Sequence, residues 1–380
     1  MNELQTAYVY GLAHLLPLGE TSARKTYRLA LTRDSWRANP QELRRKLEES
    51  IGPKSEVLLT TNWDALVEEA TIEIRKQEQD GIRLLSIDDS EYPPLLKKIA
   101  DAPLILFVKG SVSAFLECLS VAIIGTRDST PAGEQVAFKV ARFFGANRCA
   151  IVSGLAKGID TAAHKGALDA GAKTVAVFAT PLDKVYPAEN KELARQILDD
   201  GGAWVSEIPL RKKTHRNSFV QRDRIQSGLS VAVIPVQTGI EGGTMHTVDF
   251  AERQSRLLFC PRPLNVESGA KQYQGINQLI HSGRAESFQA DTYSAVLKRI
   301  CEHRENLIAG SFAAKTAIQK VSDQTSLGFR ESPGANRKID TELIDVLTDK
   351  LSTAGVDDES RFEGVIRAVR DKLFALQHRK

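Results

Sequence analysis

The stretch Val121–Gly133, VAIIGTRDSTPAG, decides the fold. Val121 to Ile124 form an apolar, mostly β-branched run that lacks polar alternation, which is the pattern of a strand buried on both faces of a parallel sheet. It runs straight into Gly125-Thr126-Arg127, and Ser129-Thr130-Pro131 then opens an amphipathic segment. A Thr-Pro step is a helix start, since proline at the first helical position forgoes an N–H that would lack a partner anyway. A buried strand therefore delivers a glycine and an arginine to the amino end of a helix.

Outward from this stretch the same alternation repeats. AIVSG, TVAVFA, AWVSE, VAVIP and LLFCP are further apolar runs, and between them lie amphipathic segments such as GEQVAFKVARFFG, DTAAHKGALDAG and ENKELARQILDDG. The pattern predicts an α/β fold with a Rossmann-like, doubly wound, mostly parallel sheet over residues 82–293, entered through the strands IRLLSI and PLILFVKG. Residues 1–81 carry helical spacing instead, as in Leu43, Leu47 and Ile51 or Leu66, Ala70 and Ile74, with Asn62 or Thr61 capping the helix that starts at Trp63. They predict a small N-terminal helical domain. Residues 294–338 are expected to form a linker, since periodicity is lost from Ala309 onward. Over 339–380 Phe362, Val365, Ile366, Val369, Leu373 and Leu376 make one stripe of a C-terminal helical module.

Composition excludes several classes. The 380 residues carry a net charge of +3, with 42% hydrophobic and 26% charged residues, so any basic site must be local rather than global. The start MNELQTAYVYGLAHLL has no basic region followed by a cleavage signal, and no run reaches membrane-spanning length. A cytoplasmic protein with no membrane partner is expected. Cys118, Cys149, Cys260 and Cys301 are far apart and show no metal-binding spacing, so buried free thiols and no cofactor are expected.

Ligands of such a sheet bind where strands end and helices begin. Those positions are Gly125, Thr126 and Arg127; Ser153, Gly154, Lys157 and Gly158; Glu207; and, after VAVIPVQTG, Gly242, Gly243 and Thr244. Glycines let backbone amides approach an anion, helix amino ends favour negative charge, and Arg127 and Lys157 add formal charge, so the common ligand should carry phosphate. The segment Thr214–Ile225, THRNSFVQRDRI, sets Arg216, Arg222 and Arg224 around Phe219. Guanidinium groups meet phosphates and a ring stacks on a base, as a single-stranded nucleic acid requires. Phe219 is expected to be partly exposed, because a buried ring would draw its charged neighbours inward. His164, in an apolar helical pattern, reads as a packing residue. Glu207 and Asp160 are the candidate general bases, but each has a structural reading, as a strand end and a helix cap, and neither has an evident nucleophile or metal beside it.

DDSEYPPLLKKIADAPLILFVKG, VAIIGTRDSTPAG, IVSGLAKGIDTAAHKGAL, VFATPLDKVYPAEN, WVSEIP and NSFVQRDRIQSGLS follow one another in order and resemble the DNA-processing protein A family, also called DprA or Smf. The resemblance spans roughly residues 86–283. It implies a Rossmann-like core behind a small helical domain, in a protein that binds and protects single-stranded DNA and helps load a RecA-type recombinase without catalysis, and a homodimer is the expected assembly. Arg127 matches the arginine of the family's Gly-Ser-Arg turn, with Thr126 in place of serine. Lys157 stands where the family has a basic residue, and Phe219, Arg222 and Arg224 match its Phe-x-x-Arg-Asn-Arg segment. The chain diverges at Asp223, which replaces the asparagine, at Gln237, where an acidic residue is the rule, and in a C-terminal part without a recognisable winged helix. Two other functions compete. EGGTMHTVD partly resembles the turn of the Lonely Guy phosphoribohydrolases, but Thr247 occupies the position of their catalytic glutamate. A sensor of a free nucleotide-derived signal would use the same pocket around Arg127 and Gly243.

Overall fold

The computed structural model describes residues 3–30, 40–116, 119–263 and 269–308. Five helices come first: α1 (Glu3–Tyr10), α2 (Glu20–Ala30), α3 (Pro40–Ile51), α4 (Ser55–Thr60) and α5 (Trp63–Gln79). Asn62 caps α5, its Oδ1 accepting the Ala65 N–H at 3.2 Å. Ala7, Leu12, Leu66 and Ala70 are buried, and Tyr10 meets the edge of Phe107 with ring centroids 6.3 Å apart. Phe107 belongs to the sheet, so these helices share a core with the domain that follows.

Among the described residues nine strands make one sheet. They are β1 (Arg83–Ser86), β2 (Ile105–Gly110), β3 (Leu119–Ile124), β4 (Cys149–Ser153), β5 (Thr174–Val177), β6 (Ala203–Ser206), β7 (Ala232–Pro235), β8 (Leu257–Pro261) and β9 (Glu286–Phe288), in the order β1-β2-β6-β5-β4-β3-β7-β8-β9. The β1–β2 and β2–β6 pairings are antiparallel and every other pairing is parallel. Each strand from β4 to β7 is buried at every position, which is why its sequence shows no alternation. β9 is the strand that the apolar runs do not reveal, since Glu286 and Ser287 break its hydrophobic signal.

The sheet is covered on both faces. After α6 (Pro94–Lys97) and α7 (Ser113–Leu116) come α8 (Pro131–Ala146), α9 (Ile159–Asp169), α10 (Lys191–Asp199), α11 (Arg216–Gly228), α12 (Thr244–Arg253), α13 (Gln274–His281) and α14 (Tyr293–Ile308). Ile225 and Leu229 at the end of α11, Val248 of α12 and Ile276 of α13 pack on one face with Ile124, Val152 and Val233. Val140 and Phe144 of α8, Ala163 of α9 and Ile300 of α14 pack on the other with Val121, Ile123 and Ile151. Thr130 caps α8, its Oγ1 accepting the Gly133 N–H at 3.0 Å with Pro131 at the first helical position.

Two expectations change. The linker expected at 294–338 is, over its first part, the helix α14, whose Val296 and Ile300 are buried in the core. The C-terminal stripe lies outside the described residues. Cys149 and Cys260 are buried as expected, whereas Cys301 is exposed because it faces away from the Val296–Ile300 side of α14, and Cys118 lies outside the described residues.

Candidate functional site

The strand order reverses its direction of growth beside β3, since β4 follows on one side of it while β7 returns to the other. A crevice opens at the carboxyl ends of two such strands because their connections leave in opposite directions. Gly125-Thr126-Arg127 leave β3 there, and Gln237 follows β7. The two turns are tied: Thr126 N–H donates to the Gln237 carbonyl at 2.8 Å, and the Gln237 amide closes on Thr130, accepting from its N–H and donating to its Oγ1, both at 2.9 Å. Gln237 therefore pins the start of α8, a task that an amide performs with both its donor and its acceptor and a carboxylate could not.

The loop after β4 is braced from within. The Asp160 carboxylate accepts the N–H groups of Gly154 and Ala156 at 3.1 and 3.3 Å. Asn190 donates to the Leu155 carbonyl at 2.8 Å and to Thr161 Oγ1 at 2.9 Å. Gly154 is required by Arg222: a Cβ there would lie 1.8 Å from Arg222 Nη1. Gly158 has φ +76° and precedes α9, and a Cβ on it would meet the Thr126 carbonyl oxygen at 2.7 Å. The two glycines thus let the β4 loop close on the arginine and on the first turn.

α11 supplies the remaining wall. Phe219 is half-buried in its first turn, with the Arg127 guanidinium carbon 5.6 Å from the ring centroid on one side and the Tyr186 ring 5.7 Å away edge-on. Arg222 is only 7% exposed, donates from Nη1 to the Val177 carbonyl at 2.9 Å, and has Nε 3.1 Å from Asp223 Oδ1. Arg127, Ala156, Phe219 and Arg222 are shared by two adjoining cavities. One, of about 250 Å³, is completed by Gly154, Lys157, Thr180, Tyr186 and Pro187. The other, of about 380 Å³, is completed by Gly125, Thr126, Asp160, Asp223, His246 and the Gly242-Gly243-Thr244 turn. Amino ends of α8, α9 and α12 lie at this edge, so their dipoles add to the positive field of the three cations. Lys157 is held by Glu189, Nζ to Oε1 2.6 Å, in an exposed pair that solvent screens. Burial pushes the Asp223 carboxyl up to about 6, against the pull of Arg222.

The structure brings most of the anticipated residues together, but it moves some away. Arg224 is not at the crevice. Its side chain is fully buried on the opposite flank of α11, with Nη1 and Nη2 donating to the two Glu207 carboxylate oxygens at 3.0 and 2.5 Å and Nε 3.3 Å from Asp101. Two residues along a helix are about 200° apart at 3.6 residues per turn, so Arg222 and Arg224 cannot face one ligand. Burial disfavours the Arg224 charge, but Glu207, Asp101 and Glu20 outweigh it and raise its pKa. Ser153 is also withdrawn: it is buried in β4 and its Oγ donates to the Ile123 carbonyl at 2.7 Å. Gly158 packs behind the first turn and lines neither cavity. Asp160 is the second residue of α9 and braces the preceding loop rather than occupying the cap position, which Gly158 holds.

His164 is a packing residue. Thr174 Oγ1 gives its proton to the Ile151 carbonyl at 2.7 Å, so the His164 Nδ1, 2.7 Å from that oxygen, must be the donor; burial pushes the imidazole down to about 3. The residues that sequence reasoning passed over are Tyr186, Thr180 and His246. Tyr186 stands in the quoted VFATPLDKVYPAEN, but nothing local says that this ring meets Phe219, some thirty residues on. Its 49% exposure is the signal visible only in three dimensions.

Fold and site define a class: a doubly wound α/β protein with a cationic, aromatic-lined cleft at the carboxyl edge of its sheet. The chain belongs to the DNA recombination-mediator protein A family, whose model matches residues 83–298. It is 36% identical over 188 residues to Protein Smf of Escherichia coli, covering 49% of this chain and 50% of that one, and 38% identical over 198 residues to DNA processing protein DprA of Streptococcus pneumoniae, covering 52% and 68%. The chain spans about half the length of the first curated relatives it matches. Among solved structures, DprA of S. pneumoniae superposes with a TM-score of 0.60 at 26% identity over 78% of this chain and 98% of that one. DprA of Helicobacter pylori, solved to describe its single-stranded DNA binding mode, superposes with a TM-score of 0.52 at 29% identity over 57% and 96%. No helix among the described residues is long and apolar enough to cross a membrane.

Proposed function

We propose that the chain binds single-stranded DNA in the paired cavities, without covalent chemistry, and delivers the strand to a RecA-type recombinase. The observation that carries the binding is the Arg127 guanidinium over the Phe219 ring at 5.6 Å, on the wall common to both cavities. A cation and an aromatic face side by side, with Lys157 and Arg222 flanking them, match a polymer that alternates phosphate and base. The relative from H. pylori, described by its single-stranded DNA binding, supports the reading. The candidate general bases are engaged: Asp160 by two loop amides and Glu207 by Arg224.

Fluorescence anisotropy with oligo-dT at increasing salt tests the proposal. Two or three phosphates neutralised by Arg127, Lys157 and Arg222 give a slope of log K on log salt of about −1.4 to −2.1. Arg127→Ala should reduce affinity by about 1.5–3 kcal/mol, the worth of a hydrogen bond to a charged group, and should do so alike for all sequences. A salt-independent signal, or wild-type affinity in this variant, removes the cleft as the site. A nucleoside monophosphate that binds more tightly than the oligonucleotide would favour the sensor reading, since the larger cavity is near the size of a small-ligand pocket.

A further inference from the structure

Between β6 and α11 the chain runs through Arg211, Lys212, Lys213, Thr214, His215 and Arg216, all exposed. Several surface arginines elsewhere are paired, Arg83 with Glu91, Arg142 with Asp169, Arg195 with Glu192 and Asp199, Arg284 with Asp249 and Glu252, and exposed arginines such as Arg148 and Arg253 stand singly rather than in a run. Arg211, Lys212, Lys213 and Arg216 have no carboxylate partner among the described residues. An uncompensated run of four cations within six residues repels itself, and it is matched when it meets an extended polyanion. Its position is equally specific. The loop leads directly into the helical turn that holds Phe219, and Lys212, Lys213, His215 and Asn217 line a third cavity of about 240 Å³ on the other flank of α11, walled by Ala13, Ala23 and Arg24 of the N-terminal helices, with its two carboxylates, Glu20 and Glu207, engaged by Arg24 and Arg224.

We infer that this loop, with the groove between it and the N-terminal helices, is a second segment of the DNA track: a strand leaving the Phe219 cleft crosses the amino end of α11 and sets its next phosphates on Arg211, Lys212, Lys213 and Arg216. The inference rests on the single-strand reading of the cleft. Five residue steps span at most about 18 Å of extended chain, enough to follow several nucleotides. The cleft and the loop then act in series, and only a strand long enough to cover both engages the four extra charges.

The test compares oligo-dT of about 5 and about 25 nucleotides, below and above the usual range of single-strand site sizes. In the wild type the longer probe should show the steeper salt dependence, by up to about 2.8 in slope for four further phosphates. Lys212→Ala combined with Lys213→Ala should leave the short probe and the melting temperature unchanged, weaken the long probe roughly tenfold, and lessen its slope by about 1.4. Equal slopes for both lengths in the wild type overturn the inference, as does unchanged long-probe affinity in the double variant. Equal weakening of both probes also overturns it, by making the loop part of the cleft. If Arg127→Ala abolishes short-probe binding while the double variant changes nothing, the cleft stands and the loop falls. If the wild type binds neither probe, both fall.

Discussion

Arg222 and Arg224 sit two residues apart on α11, both buried, and the helix turns them to opposite fates. On the Arg224 flank the charge is answered within the protein: Glu207 takes it through two hydrogen bonds, with Asp101 at 3.3 Å and Glu20 of the N-terminal helices at 4.0 Å. On the Arg222 flank Asp223 lies beside the guanidinium and Asp160 is within its field, in a cleft that also holds Arg127 and the Lys157–Glu189 pair. One side is sealed within the protein, whereas the other opens onto a cleft where Arg127 has no carboxylate partner among the described residues. The same residue type is thus a fastener between modules on one flank and a cleft-lining group on the other. α11 itself is anchored at its far end, where the buried Arg256 donates to the Ser227 and Gly228 carbonyls at 3.2 Å each and to the Leu95 carbonyl at 2.9 Å. Burial lowers the Arg256 pKa to about 10, still far above neutrality.

The contrast breaks most sharply at Arg224. Arg224→Ala leaves Glu207 buried without its partner, and should cost about 3–5 kcal/mol of folding stability. Single-strand affinity per folded molecule should stay near wild type. Urea denaturation and anisotropy on the same sample check both, and a variant that folds normally but loses DNA would place Arg224 in the cleft after all. Replacing the pair together, Arg224→Met with Glu207→Leu, should recover much of the loss, since no charge is then stranded.

Phe219→Ala should have an intermediate effect, on the other side of the comparison. Loss of a stacking face costs about 1–3 kcal/mol of single-strand affinity. Because the ring is half-buried and touches Arg127 and Tyr186 rather than the core, the melting temperature should fall far less than for a buried phenylalanine such as Phe144, whose truncation costs about 3–5 kcal/mol. A large stability loss with intact affinity would return Phe219 to the core.

The smallest effect is expected at Asp223, where Arg222, Asp160 and His246 are the charged or titratable groups acting on the carboxyl. Its pKa rises from the ordinary 3.8 to about 6, so the folded state holds the proton more tightly than the unfolded chain. The resulting stabilisation is complete below about pH 3.8 and is lost as the pH rises through about 6. Above that value the carboxylate adds negative charge to a phosphate cleft. Affinity for oligo-dT should therefore tighten a few-fold as the pH falls from about 7.5 to about 5.5. Asp223→Asn should bind better at the upper end and flatten the profile. An unchanged profile would assign the dependence to another group of the cleft.

How much of this was legible beforehand differs from residue to residue. The run VAIIGTR yielded β3, the turn and the start of α8, because a buried parallel strand has a continuous apolar signal and Thr-Pro a local cap signal. Gly154 and Lys157 were legible for the same reason, as they follow a strand directly. Gln237 looked like a departure from the family pattern, and its meaning came only with Thr130, 107 residues earlier in the chain. Ser153 and Arg224 were chosen by residue type and neighbourhood, yet the hydroxyl points into the sheet and the guanidinium to the far side of a helix.

By itself, then, the sequence determined the alternation of strands and helices and the sheet edge that carries turn glycines and cations, since periodicity, turn glycines and cation placement are local properties of the chain. Tertiary structure alone decided which of two neighbouring arginines faces the cleft, that Tyr186 completes the wall beside Phe219, and that the Arg211–Arg216 loop borders a groove with the N-terminal helices. These depend on helix phase and on contacts between residues far apart in the chain, and both are fixed only when the two faces of the sheet are packed.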